Sequence, residues 1–342
     1  MLLGATANSA FAQGCVAART GTPGLSVLAA VTCGVSEHNS PKLWTVSLGY
    51  RYQESFRHFV GTVEQKQREI NRNQIYNLYH QFDLGIDRQI TPRFGAVFNL
   101  PLIFSHRNQL YAPSSKQVVN AFGDMTLGFR MWVFKPPTES GDNISVGFGL
   151  KLPTGLYNAG GLATRSGQLI NATYDQSMMT GDGGVGFSAN IAAYKRIPTN
   201  TMLYFSGSWL FNPRNTNGVS TFRTQAGEGV MSVADQYLFR GGAGHAIPWV
   251  KGLAASFGGR IEGVPVRDLL GKSGGFRRPG YVISIDPGLL YAHGLYTFSI
   301  NAPWAVERNR KTSLTDYARG RGVHGDAAFS DYSLQLGIAR RF

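Results

Sequence analysis

Phe122 to Gly155 reads FGDMTLGFRMWVFKPPTESGDNISVGFGLKLPTG, and two short segments of it alternate residue by residue. Met125, Leu127, Phe129, Met131 and Val133 share one parity, with Asp124, Thr126, Gly128 and Arg130 on the other. That is the period of two imposed by an extended strand. Ile144, Val146, Phe148, Leu150 and Leu152 alternate in the same way with Ser145, Gly147, Gly149 and Lys151. Between the two, Pro136-Pro137-Thr138 lacks amide hydrogens at its prolines and ends the first strand in a turn. Each apolar face is about ten residues long and lies opposite glycine, hydroxyls and single charges, the pattern of a strand between hydrocarbon and a polar lumen. A soluble sandwich also alternates, so the deciding question is whether the unit repeats around a closed barrel.

It does repeat. From Lys42 onward, Trp44, Val46, Leu48, Tyr50 and Tyr52 face one way, and further alternating segments run near Leu78 to Ile86, Phe94 to Leu102, Val185 to Ala193 and Leu203 to Phe211. Others follow near Val233 to Gly244, Leu253 to Ile261, Tyr281 to Tyr291, Tyr296 to Ile300 and Tyr332 to Ile338. With the hairpin above, this predicts about twelve strands joined by alternately long and short links, the plan of a bacterial outer-membrane barrel with an even strand count and both termini periplasmic. The stretches Ser105 to Asn120, Leu156 to Thr180, Asn212 to Met231 and Pro303 to Gly325 read as long polar loops; EQKQREINRNQ, in the first long link, could form a short helix without an apolar stripe. The fold class is therefore all-β, a transmembrane up-and-down antiparallel barrel over residues 42 to 342, with closure removing every unpaired edge from lipid.

Composition agrees with that plan. No apolar run is long enough for a spanning helix. Glycine contributes 43 of 342 residues and only 15% are charged, low for a soluble domain. The net charge of +13 points to an anionic partner. Residues 1 to 12 read as the end of a signal peptide, with Ala10-Phe11-Ala12 before the cut and Gln13 as the mature start. Residues 13 to 41 are expected to form an N-terminal periplasmic segment. Cys15 and Cys33 are a possible disulfide in an oxidising compartment, or two small buried thiols.

Chemistry has few candidates. Gly181-Asp182-Gly183-Gly184-Val185-Gly186 fits a dinucleotide-binding spacing, but a strand rather than a helix follows it. The histidines are scattered without metal-ligand spacing. His38-Asn39-Ser40 has the histidine–serine spacing of an outer-membrane phospholipase but precedes the first strand, so the reading is non-enzymatic, with no catalytic residue, cofactor or metal. The inward parity is the better site. Arg51, Arg93, Arg130, Lys151, Arg240 and Arg260 face Asp83, Asp87, Asp124, Glu262, Asp286 and Asp331, six of each sign, as candidate pore-lining residues. They either pair into a structural network or line a constriction that orients a solute. The surplus positive charge then belongs to the loops, where it would meet outer-membrane lipid and lipopolysaccharide phosphates; no aromatic-interleaved platform for nucleic acid appears.

The hairpin, with Gly123-Asp124 leading its first strand and GLKLPTG (Gly149 to Gly155) closing its second, resembles the outer-membrane family named for the meta-cleavage pathway of phenol degradation. The resemblance implies a channel for passive uptake of small, often aromatic molecules. The C-terminal Phe342, with Gln335 and Gly337 before it, resembles the signal read by the barrel-assembly machinery, although Arg340 and Arg341 depart from its apolar ending. The alternative is a non-conducting barrel whose basic loops bind lipopolysaccharide or a partner.

Overall fold

The computed structural model describes residues 44–109, 112–134, 142–165, 168–198, 200–221 and 223–342. The predicted signal remnant, the segment to residue 41, Cys15, Cys33, the His38–Ser40 spacing and the Pro136–Thr138 turn lie outside them.

Twelve strands close on themselves. They are β1 (Trp44–Ser55), β2 (Ile75–Gln89), β3 (Phe94–Gln109), β4 (Thr126–Trp132), β5 (Asp142–Lys151) and β6 (Gly186–Ile197). After these come β7 (Thr201–Phe211), β8 (Gln236–Ala246), β9 (Leu253–Val264), β10 (Gly280–Ile285 continuing as Gly288–His293), β11 (Tyr296–Asn301 continuing as Trp304–Arg310) and β12 (Ser333–Arg341). Each pairs antiparallel with its sequence neighbours, and β12 returns to β1 in a register running from Thr45 opposite Arg341 to Gln53 opposite Ser333. The alternation is what sets the faces. On β1, Leu48 is 48% exposed on the outside, while Arg51, Gln53 and Ser55 are buried inside. Phe129 and Phe148 stand out side by side from β4 and β5, and Arg130 and Lys151 turn in. Outer rings stack in runs, Phe148 on Phe187 on Phe211 and Trp209 on Tyr237, and Arg88 lies over Trp44 at the short-turn end. Such an apolar exterior is compatible only with hydrocarbon around it.

Several stretches that read as loops are ordered strands. Ala112–Phe122 pairs back onto the upper half of β3, Leu102 opposite Phe122, so Ser105 to Asn120 is a hairpin rising beyond the barrel. Pro303 to Gly325 contains the upper half of β11 and a helix, Leu314–Ala318, closed by a Ser313–Asp316 capping box. Leu156 to Thr180 holds the hairpin Gly160–Arg165 with Gln168–Thr173 and a 3₁₀ turn, Gln176–Met178. Polar residues interrupt the apolar alternation in these segments, as in Lys116-Gln117 and Glu307-Arg308, so hydropathy marks them weakly. The EQKQREINRNQ stretch forms a single helical turn, Gln67–Ile70.

β10 and β11 break side by side at Asp286-Pro287 and Ala302-Pro303. Proline offers no amide to the ladder, and pairing resumes with Ile285 opposite Trp304 above and Gly288 opposite Asn301 below. Above the break, the wall is completed by a small sheet of Arg57–Val60, Val63–Glu64 and Ala327–Phe329. Phe59, Val282, Ala305, Ala327 and Phe329 pack across that seam, and Arg57 and Arg308 share Asp331.

Leu48 lies midway along the outer face of β1, between Trp44 and the tyrosines Tyr50 and Tyr52. Leu48→Arg should lower folding stability by roughly 2–4 kcal/mol, read as a lower urea midpoint in bilayers; Tyr317→Arg, in the exposed helix beyond the wall, should leave it unchanged.

Candidate functional site: the barrel interior

The inward residues of β2 to β5 form one group of charges. Arg130 Nε donates to Asp87 Oδ2 at 2.7 Å, and its Nη2 reaches Asp87 Oδ1 at 2.8 Å and Gln89 Oε1 at 2.6 Å. Gln81 Nε2 donates to both oxygens of Asp83, at 2.8 and 2.9 Å. Lys151 at the end of β5 sits between Asp182, in direct ion-pair contact, and Asp124 at 3.7 Å. Asp124 also accepts backbone amides from Gly155 (2.8 Å) and Asp182 (3.1 Å). All three are fully or almost fully buried, where an unpaired charge would be costly.

A second group lies across β8 to β10. Arg240 contacts Asp286 at 2.8 Å, and Arg260 contacts Glu262 at 2.6 Å. Arg51 of β1 also reaches Glu262, at 3.6 Å. Since β12, β11 and β10 separate β1 from β9 around the wall, this contact is a strut across the interior. It fences off a small recess lined by Gln53, Val282, Ser284, Pro303 and Ser333. Two of the predicted residues stand apart from both groups. Arg93 is exposed in the short turn before β3, and Asp331 joins Arg57 (2.7 Å) and Arg308 at the seam.

The parity reading missed three features. The first is the segment Asp175 to Asp182, which folds inside the barrel at its long-loop end and is buried throughout. Tyr79 donates to Ser177 O (2.6 Å), Ser105 Oγ to Met178 O (3.0 Å), and Gln176 Nε2 to Ser232 O (2.8 Å), so the segment spans the mouth from β2 and β3 to the link before β8. Asp175 fastens it: Arg278 donates to both of its oxygens at 2.9 and 2.7 Å, and Arg107 lies at 3.4 Å. Burial opposes ionisation there, but Arg107 and Arg278 outweigh it and hold the carboxyl well below the usual carboxylate range. The only signal was the apolar pair Met178-Met179 in a polar stretch.

The second is an apolar collar near the short-turn end: Trp132, Tyr194, Met202, Ala254 and Leu290, all buried on the inward parity of β4, β6, β7, β9 and β10. Trp132 meets Tyr194 edge to face, 6.0 Å between centroids. The third is His58, buried in the small sheet with its Nδ1 2.9 Å from Phe56 O. Burial, and then the Arg68 guanidinium, push its imidazole down to about 4 against the opposing Asp326.

No protein-family model matches the chain, and no curated protein matches it in sequence. Solved structures do. The COG4313 outer membrane channel from Pseudomonas putida F1 superposes with a TM-score of 0.58 at 11% identity, covering 90% of this chain and 100% of that one. The translocator domain of the autotransporter NalP from Neisseria meningitidis gives 0.46 at 13%, covering 92% and 93%. The Pseudomonas putida toluene transporter TodX gives 0.47 at 9%, covering 94% and 95%. At these identities the likeness is one of fold, and the first carries it: the chain has the fold of a bacterial outer-membrane β-barrel.

Two outcomes test this interior. Lys151→Met leaves Asp124 and Asp182 buried without their cation and should cost about 3–5 kcal/mol, read as an earlier urea transition. His58, neutral in the folded protein and near 6.5 when unfolded, contributes stability that is complete above pH ~6.5 and lost as the pH falls towards about 4. Amide-exchange protection of residues 57–60 and 327–329, corrected for intrinsic rates, should therefore fall from pH 7 to pH 4.5, and His58→Asn should remove that dependence.

Proposed function

We propose that the chain is a bacterial outer-membrane channel for passive uptake of small molecules, with its long loops outside the cell and its short turns and both termini in the periplasm. The observation that carries the reading is the contrast of faces: a closed barrel, apolar outside, filled inside with ion-paired arginine, lysine and carboxylates rather than a packed apolar core. The fold shared with the COG4313 channel supports it, and so does the asymmetry of long and short links. The resemblance of Phe122 to Gly155 to the family named for the meta-cleavage pathway of phenol degradation favours aromatic or other largely apolar solutes. On this reading, Arg51, Asp83, Asp87, Asp124, Arg130, Lys151, Arg240, Arg260, Glu262 and Asp286 line the path, and the inward segment at Asp175 to Asp182 narrows its outer mouth. Residues 1 to 12 are then a signal remnant and 13 to 41 a periplasmic segment. The basic loops meet lipopolysaccharide, and Phe342 at the end of β12 is presented to the barrel-assembly machinery.

Purified protein in planar bilayers should show discrete conductance steps, and proteoliposomes should swell in small solutes. Asp175→Ala, which frees the inward segment from Arg107 and Arg278, should raise single-channel conductance. Absence of both steps and swelling would remove the channel reading and leave a non-conducting barrel.

A further inference from the structure

Arg240 and Arg260 stand directly opposite one another on β8 and β9, and Ser206 of β7 stands opposite Arg240. Like charges placed as cross-strand partners repel, and among the described residues the carboxylates near them are few. Asp286 serves Arg240, and Glu262 is shared between Arg260 and Arg51. Arg240 is only 2% exposed; its Nη2 lies 2.8 Å from Asp286 Oδ2, while Nε and Nη1 make no hydrogen bond of ordinary geometry among the described residues. The hydroxyls of Ser206 and Ser208, buried on the inner face of β7, likewise find no such partner among the described residues. Buried donors left in this state favour an acceptor that brings negative charge.

Below this patch the chemistry changes. Along β7 the inward residues run from Ser208 and Ser206 through Tyr204 to Met202. Tyr204 lies close against the wall over Gly242 and Gly258, where a Cβ on either would come within 2.8 Å of its hydroxyl. Arg240 Cζ is 5.5 Å from the Tyr204 ring centroid. Met202 then belongs to the collar with Trp132, Tyr194, Ala254 and Leu290. Successive inward residues of a strand are about 7 Å apart, roughly the length of a benzene ring bearing a carboxylate.

Deepening the channel reading, on which it rests, we propose that Arg240, Ser206 and Ser208 with the Tyr204 ring and the collar beneath form a transit subsite for amphipathic organic monoanions, carboxylates borne on an apolar ring. The carboxylate meets Arg240 and the serines, while the ring lies along Tyr204 towards Met202. Neither a bare anion nor a neutral aromatic engages both parts.

Equilibrium dialysis of radiolabelled benzoate, benzamide and acetate against the purified full chain in detergent micelles tests this without requiring conduction. The wild type should retain benzoate over both comparators. Arg240→Gln should lower the benzoate-to-benzamide ratio about tenfold, and Met202→Gln should lower the benzoate-to-acetate ratio. Heat-modifiable gel mobility reports folding; should Arg240→Gln fail to fold, the double variant Ser206→Ala, Ser208→Ala should lower the benzoate-to-benzamide ratio severalfold instead. Equal retention of benzoate and benzamide by the wild type, or ratios unmoved in the folded variants, overturns the proposal. A silent bilayer without liposome swelling, but with preferential benzoate retention, would remove the channel reading and keep the subsite; conductance or swelling without that preference would do the reverse.

Discussion

A backbone amide that faces hydrocarbon has no water to bond to, so every strand in the lipid must find its partners in other strands. Ten strands of this chain could satisfy that need in sequence order, but the first and last could not without the return of β12 to β1. The outer residues follow from the same requirement, because alternation then delivers every second side chain to lipid. The paired breaks at Pro287 and Pro303 occur where a small sheet and the Phe59–Phe329 cluster lie against the wall. Protein covers the gap that those lost ladder bonds leave.

Closure leaves the other half of the side chains facing each other across a limited space, and their charges cannot be solvated as they would be on a surface. The interior answers with pairs. Arg130 with Asp87 and Lys151 with Asp124 and Asp182 fix the β2 to β5 side; the arginines of β8 and β9 face one another and share fewer carboxylates. One side of the interior is thus a settled network that holds the wall in shape. The other sets two facing arginines on two carboxylates, one of them shared with Arg51.

The barrel was legible because lipid imposes a strict rule on sequence: Leu48, Phe129, Phe148 and Leu336 each sit on the face their parity assigned. The charges were legible for the same reason, and Arg51, Asp87, Arg130, Lys151, Arg240 and Arg260 are all buried inside. Partners were not. Asp182 lies in a long link, and only the fold brings it to Lys151. The inward segment escaped because the carbonyls of Ser177 and Met178 leave no mark in residue type, and Asp175 meets Arg107 and Arg278 only in the fold. The collar was visible in principle: Trp132, Met202 and Leu290 occupy the inward parity, which was read only for charge.

The strut from Arg51 to Glu262 makes the interior something other than a round pipe. It runs along a chord, with the small recess beside β10 to β12 on one side and the remaining strands on the other. At that level the division of the interior is set by one guanidinium and one carboxylate rather than by strand number. Shortening either arm would merge the two spaces and leave the hydrogen-bonded cylinder as it is.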